Sequence, residues 1–244
     1  APLVGGQLLV NVGWRSVFWL LASYAIVWLV VVIAFLPESL PVARRWRQPI
    51  GEVVGVYGRL LRDRTYIGHV LSGALIFAGL LSYISGSPFV FIELFHVPPE
   101  RYGIFFGINA IGIMSASQFN RWLVTRVEAR RIVGIVLSVA MTASLVLLFD
   151  AYSGFGGFAG ILIPLFCYIA CHGFVMPNPT GLAMAPHGPV AGSASALLGT
   201  IQFVLGSIAA ALVGAFANGT AVPLAVVIAG CGVAAFITNR TVSA

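Results

Sequence analysis

Long apolar runs separated by short polar punctuation dominate this sequence. One run covers residues 16–36 and stops at Pro37-Glu38-Ser39-Leu40-Pro41. Others cover about 67–92, 103–124, 131–150, 155–178, 190–216 and 221–238. Each is close to the roughly 20 residues that a helix needs to cross about 30 Å of hydrocarbon. Residues 1–10 read as the tail of one more run, closing at Asn11–Gly13. The pattern predicts an all-α, polytopic membrane protein with about eight transmembrane helices.

The stretch 37–65 breaks the pattern. It holds Arg44, Arg45, Arg47, Arg59, Arg62 and Arg64. Within it Ile50, Val53, Val54, Tyr57 and Leu61 fall on one helical face, with Glu52, Arg59 and Asp63 opposite. That arrangement predicts an amphipathic helix lying on the membrane surface, although Gly51, Gly55 and Gly58 lower its helix propensity. The expected organisation is therefore three parts. Residues 1–36 carry two spans, the first one partial; 37–65 form a basic loop with an amphipathic helix; 66–244 form a six-helix bundle. Ala1 already lies in an apolar, glycine-rich stretch, which is the expectation for a piece of a longer chain whose earlier spans precede it.

Composition narrows the function classes. The chain is 59% hydrophobic and 8% charged, with a mean hydropathy of +1.01, whereas soluble domains are near ~25% charged. A soluble enzyme and a secreted disulfide scaffold are excluded. The three cysteines, Cys167, Cys171 and Cys231, sit inside apolar runs and show no disulfide framework. All 13 basic residues are arginines, giving a net charge of +6. Their placement in the connections near 37–65 and 121–131 points to the positive-inside rule and anionic head groups rather than to nucleic acid. Both connections should face the cytoplasm, as should Arg240 and the C-terminus. The opposite connections carry Glu93, Glu100 and Arg101, or Asp150. No phosphate-binding glycine loop, carboxylate pair or Ser-His-Asp set is present, so no catalytic residue or cofactor is expected. Cys167, Cys171 and His172 fall short of the about four ligands of a structural zinc site, and no metal is expected.

Polar residues are unevenly distributed among the spans. Runs 16–36, 131–150 and 221–238 are almost wholly aliphatic or aromatic, and are expected to be outer helices facing lipid. The other four carry amides, hydroxyls and one imidazole, which are costly in hydrocarbon unless they face protein or a wet cavity. Tyr83, Asn109, Tyr168, His172 and Gln202 are the candidates for lining a substrate cavity, with bonding between neighbouring helices as the alternative. His172, well inside its span, is also a candidate for proton exchange. Two spans meet prolines in their last third, at Ser87-Pro88 and at Pro177-Asn178-Pro179. Interrupted helices at such equivalent positions of two three-helix repeats free backbone groups for a substrate path. Gly192, Ala196, Gly199, Gly206, Ala210 and Gly214 share a face of run 190–216, with Phe203 completing the spacing. They read as a close-packing stripe.

These residues resemble a known group. Ala1-Pro2-Leu3-Val4-Gly5-Gly6, followed by Gly13-Trp14-Arg15 and Phe18, is similar to the fifth span and following loop of major facilitator drug transporters. Pro2, Gly5 and Gly6 resemble the end of the antiporter motif. Leu36-Pro37-Glu38-Ser39-Leu40-Pro41, Tyr83-Ile84-Ser85-Gly86-Ser87-Pro88-Phe89-Val90 and Gly192-Ser193-Ala194-Ser195-Ala196-Leu197 resemble segments of the Bcr/CflA multidrug efflux group. The resemblance implies spans five to twelve of a twelve-helix major-facilitator bundle whose first half is incomplete here. It also implies export of hydrophobic or cationic compounds in exchange for protons, by alternating access, in the cell inner membrane. The loop Asn120–Arg131 lacks the aspartate expected in that group. No acidic residue lies mid-span, so proton coupling is expected in the missing part. Lipid, a small-molecule substrate and protons are the expected partners, and a monomer the expected state. An uptake permease for a small metabolite, or a membrane sensor or assembly subunit without transport, remains the alternative.

Overall fold

A computed structural model describes Leu8, residues 12–37 and residues 50–243. The partial first run, with Pro2, Gly5 and Gly6, and the arginines at 44, 45 and 47 lie outside the described residues. Every regular element among the described residues is helical. Among the described residues, five stretches are long and apolar enough to cross a membrane: Trp14–Phe35, Arg64–Leu94, Ala129–Ser153, Gly157–Ala215 and Val222–Val242. Helix α1 (Trp14–Phe35) buries none of its residues. Helix α2 (Ile50–Arg62) follows, and then the bundle begins.

The bundle is organised around α3 (Arg64–Pro88), which carries on through a π-helical segment, Phe89–Leu94. Asp63 starts α3 by accepting hydrogen bonds from the backbone N–H groups of Thr65 at 2.9 Å and Tyr66 at 3.1 Å, which satisfies donors left free at a helix start. Helix α4 is Pro99–Leu123 and α5 is Ala129–Ser153. The next run is made of α6 (Gly157–Ala170), α7 (His172–Val175) and α8 (Pro177–Met184) in tandem. A 3-10 segment, Ala185–Val190, leads into α9 (Ala191–Ala215), and α10 (Val222–Ser243) closes the bundle. Helix α3 packs most extensively on α9 and α10, α10 also packs on α5, and α4 rests on α6 and α7.

Four sequence expectations change. Helix α2 docks through Val56 and Leu60, both buried against Tyr66, Val70, Ala194 and Leu198. Val54 and Leu61, expected on the apolar face, are exposed. The apolar arc is therefore wider than one contact, with one edge on protein and the other left open. The proline positions act differently. The α-helix gives way to a π-helix directly after Pro88, so the chain there stays helical. The other run is interrupted at Met176, and Pro177 opens α8 at its first turn, where a missing N–H costs nothing. The same run also breaks earlier, at Cys171 between α6 and α7. The small-residue stripe is a seam only at Gly206, where a Cβ would meet Leu81; at Gly192, Gly199 and Gly214 nothing lies within 4 Å. Finally, the aliphatic spans α5 and α10 are well buried in the bundle, while the polar-rich α4 and α9 keep broad exposed faces.

Candidate functional site

The five cavity candidates are all buried, and each has a distinct setting. Tyr83 and Asn109 are brought together: the Asn109 amide Nδ2 donates to the Tyr83 hydroxyl at 2.9 Å. The Tyr83 ring also meets Phe106 at 5.2 Å and Phe91 at 6.5 Å between centroids. An amide–phenol bond of this kind joins α3 to α4 through two buried side chains and satisfies polar groups that would be costly unpaired. Tyr168 of α6 is 0% exposed and points its hydroxyl at the Ile76 carbonyl, 3.5 Å away. Its approach depends on Gly79, because a Cβ there would lie 2.7 Å from the Tyr168 ring carbons Cε1 and Cζ.

His172 sits just after the first break in the α6–α8 run, and neither of its ring nitrogens has a hydrogen-bond partner among the described residues. Its ring lies 6.0 Å from that of Phe77, which in turn meets Phe203 edge-on at 5.3 Å. Phe203 is 62% exposed. An aromatic series thus runs from an unpartnered imidazole on α7, across α3, to the open face of α9. Gln202 is buried on α9 beside that exposed Phe203. His172 and Gln202 are not joined to the Tyr83–Asn109 pair by any hydrogen bond among the described residues.

The proline positions are seams as well. The Ser87 hydroxyl shares a 2.8 Å hydrogen bond with that of Tyr102, and the Asn178 amide donates to the Asn120 side-chain oxygen at 2.7 Å. Pro179 stands opposite Gly73, and Pro88 is half-buried. The buried residues of α4 are consequently two glycines and two asparagines, Gly103, Gly112, Asn109 and Asn120. Glycine lets the backbones approach, and each amide finds its bond in the contact.

The other side of α4 carries polar residues outside the five candidates. Ser115 and Gln118, one turn apart, are exposed among Ile111 and Met114. On α9, Ala196, Thr200, Phe203 and Ser207 recur at helical spacing and are exposed too. The signal was present as periodicity, but asparagine and tyrosine drew attention by their cost in hydrocarbon, and hydroxyls by themselves were too common to sort. A cavity of about 150 Å³ lies elsewhere, between the ends of α3 and α9 and the start of α10. It is lined mostly by apolar groups such as Phe89, Val90, Val213 and Leu224, and by none of the five candidates. Among the described residues no three metal-ligating side chains converge.

Charge is sorted by end. The end that gathers the start of α3, the α4–α5 connection and the close of α10 carries Arg59, Arg62, Arg64, Arg121, Arg126, Arg130, Arg131 and Arg240 against Glu52, Asp63 and Glu128. The other end of the bundle carries Arg101 together with Glu93, Glu100 and Asp150. The Asp150 carboxylate accepts from the Gly156 N–H at 3.2 Å, just before α6 starts, where the helix dipole favours an anion.

Comparison with known proteins gives a consistent result. The family model for the Major Facilitator Superfamily matches residues 1–211. The chain is 35% identical over 226 residues to a Bacillus subtilis protein named "Uncharacterized MFS-type transporter YdgK", covering 92% of this chain and 56% of that protein. It is 23% identical over 245 residues to the "Bicyclomycin resistance protein homolog" of Haemophilus influenzae, covering 98% of this chain and 61% of that one. The chain thus spans less than two thirds of the length of either relative.

Proposed function

From the premise that the chain belongs to the Major Facilitator Superfamily, we propose that it forms the C-terminal part of a proton-coupled exporter of hydrophobic or cationic compounds. Transport proceeds by alternating access, with this bundle rocking against a first bundle about a site near the middle of the membrane. The observation that carries the reading is the exposed side of α4 and α9. Ser115, Gln118, Thr200 and Ser207 would be costly there against lipid, but suit the wall of a wet path between two bundles. A relative named for bicyclomycin resistance supports a drug-like substrate.

In this reading Phe203 and Phe77 present aromatic faces to flat or cationic substrates. His172 and Gln202 stand behind them, while Tyr83, Asn109 and Tyr168 hold the cavity wall in shape. The arginine-rich end and the C-terminus are cytoplasmic, in the inner membrane. Ser87, Pro88, Pro177, Asn178 and Pro179 keep the α3 and α6–α8 spans in register with α4. The working unit is a monomer.

The test is accumulation of a cationic dye in an efflux-deficient bacterium expressing the intact protein, with and without a protonophore. Lower accumulation that the protonophore abolishes, and that Gln118→Ala with Phe203→Ala weakens, is the expected result. Equal accumulation with and without the protein overturns export. Export that survives loss of the proton gradient overturns coupling, and raised accumulation would mark an uptake permease instead.

A further inference from the structure

The cavity between α3, α9 and α10 has a buried floor, an exposed rim and no charged side chain among its described lining residues. The floor is made by Gly86 and Val90 of the α3 span, Val213 of α9 and Leu224 of α10. Gly86 sets how closely the three helices meet there, since a Cβ would lie 2.8 Å from Val213 Cγ1 and 3.1 Å from Leu224 Cδ1. The rim carries Ser85 on α3 and, across from it, Gly214, Ala217 and Thr220. At Gly214 a Cβ would meet nothing within 4 Å, so α9 leaves the mouth open. Phe89 and Val90 stand where α3 passes into its π-helical segment, a wider turn that is frequent at functional sites. The Thr220 hydroxyl is already engaged at the start of α10. It donates to Asn218 Oδ1 at 2.7 Å and accepts from the Val222 N–H at 3.2 Å. By helix rise, Gly86 lies about 33 Å from the arginine-rich start of α3, close to the roughly 30 Å of a hydrocarbon core. The mouth is therefore at the membrane interface opposite the arginines.

We propose that this cavity is a binding site for a free, neutral, apolar ring of about the size of benzene or toluene. Its volume is about 150 Å³, and apolar cavities of about that size stay dry and take benzene. Water is poorly held on this lining. With the Thr220 hydroxyl engaged, Ser85 brings the remaining side-chain hydroxyl, whereas an ordered water needs about two to four polar partners. Phe89 offers a ring the offset or edge-on contact that aromatic pairs prefer. A lipid tail, the competing apolar occupant, would have to order its flexible end inside the cavity, a cost that a rigid ring does not carry. A bound ring touches α3, α9 and α10 at once and so holds the ends of the three helices together, stabilising that arrangement by mass action. The cavity shares no residue with the five buried candidates or with the exposed polar side of α4 and α9. It is a second site, and stands whether or not that side is a transport path.

The experiment is photolabelling of the intact protein in lipid nanodiscs with a trifluoromethyl phenyl diazirine, a neutral ring of the required class, read by peptide mass spectrometry. Labelling of segments 85–90 and 213–224, which carry the lining, should saturate as the reagent is raised and be lost in excess toluene. Labelling at Val139 and Val146, exposed on α5, should rise without saturating and ignore toluene. Gly214→Leu and Ala217→Leu enlarge the rim from two separate, exposed positions. Each should abolish the saturable labelling and leave that of α5 unchanged, which also shows that the bundle is still folded. Labelling of the lining that never saturates is the result expected of a space filled by lipid tails, and overturns the site. Saturable labelling that survives both variants overturns it too.

Discussion

Helices α5 and α10 on one hand, and α4 and α9 on the other, reverse the usual relation between polarity and burial. Helix α5 is almost entirely aliphatic, and buries Ile132, Val133, Val136, Leu137, Ala140 and Leu147. Ile135, Val139, Leu145, Val146 and Phe149 of the same helix are exposed. Helix α4 is richer in polar groups yet buries only two glycines and two asparagines. In water this would be a defect. In a bilayer lipid tails are as apolar as leucine, so hydrophobicity does not drive a helix inward and close packing and polar bonds decide contact. An apolar helix face can look at lipid or at protein. A polar one must look at protein or water, so the exposed polar side of α4 and α9 carries more information about function than any buried apolar surface.

The comparison can be broken most forcefully in α5. Leu137→Ala removes a side chain that is 0% exposed, and should cost about 2–5 kcal/mol. Met114→Ala on the exposed side of α4 should stay within about 0.5 kcal/mol. Denaturation in mixed micelles measures both, and equal losses would mean that α4 and α5 are packed alike. Next comes the glycine seam. Gly173→Ala would place a Cβ 2.5 Å from the Ile113 carbonyl oxygen and 2.7 Å from the Ser117 nitrogen. Backbone atoms cannot swing aside, so α4 should be pushed off α7 at a cost of about 1–3 kcal/mol. Gly199→Ala on α9 meets nothing within 4 Å and should be silent in the same assay.

A smaller effect is expected from the amide bonds. Asn109→Ala and Tyr83→Phe, singly and together, form a double-mutant cycle whose coupling should be about 0.6 kcal/mol, the average for hydrogen bonds between membrane helices. Coupling near zero would remove Tyr83 and Asn109 from the α3–α4 seam. Smallest of all in stability, at under about 0.5 kcal/mol, are Gln118→Ala and Ser207→Ala. Their effect should fall on transport, as a loss of at least about twofold in dye efflux. Accessibility sharpens the same contrast. With the exposed native Cys167 replaced by serine, Ser115→Cys should react with a membrane-impermeant thiol reagent in the intact protein. Val139→Cys, exposed at the middle of α5, should not. Equal labelling of both would mean that the α4 face meets lipid.

The sequence determined the class of molecule, because span length, low charge and the arginine-rich connections follow from bilayer thickness and charge cost alone. It also located the residues too polar to meet lipid, among them Tyr83, Asn109, Tyr168, His172 and Gln202, all of which are buried. It did not say what each one faces. Asn109 bonds to a tyrosine and Asn120 to Asn178, while His172 has no hydrogen-bond partner among the described residues, and one-dimensional spacing is the same in all three cases. The docking side of α2, the continuation of helix past Pro88 and the breaks at Cys171 and Met176 were likewise decided only by tertiary packing. Periodicity reports which residues share a face. Which neighbour that face meets depends on the order in which the helices pack, and in a membrane almost every face is apolar enough to pack somewhere.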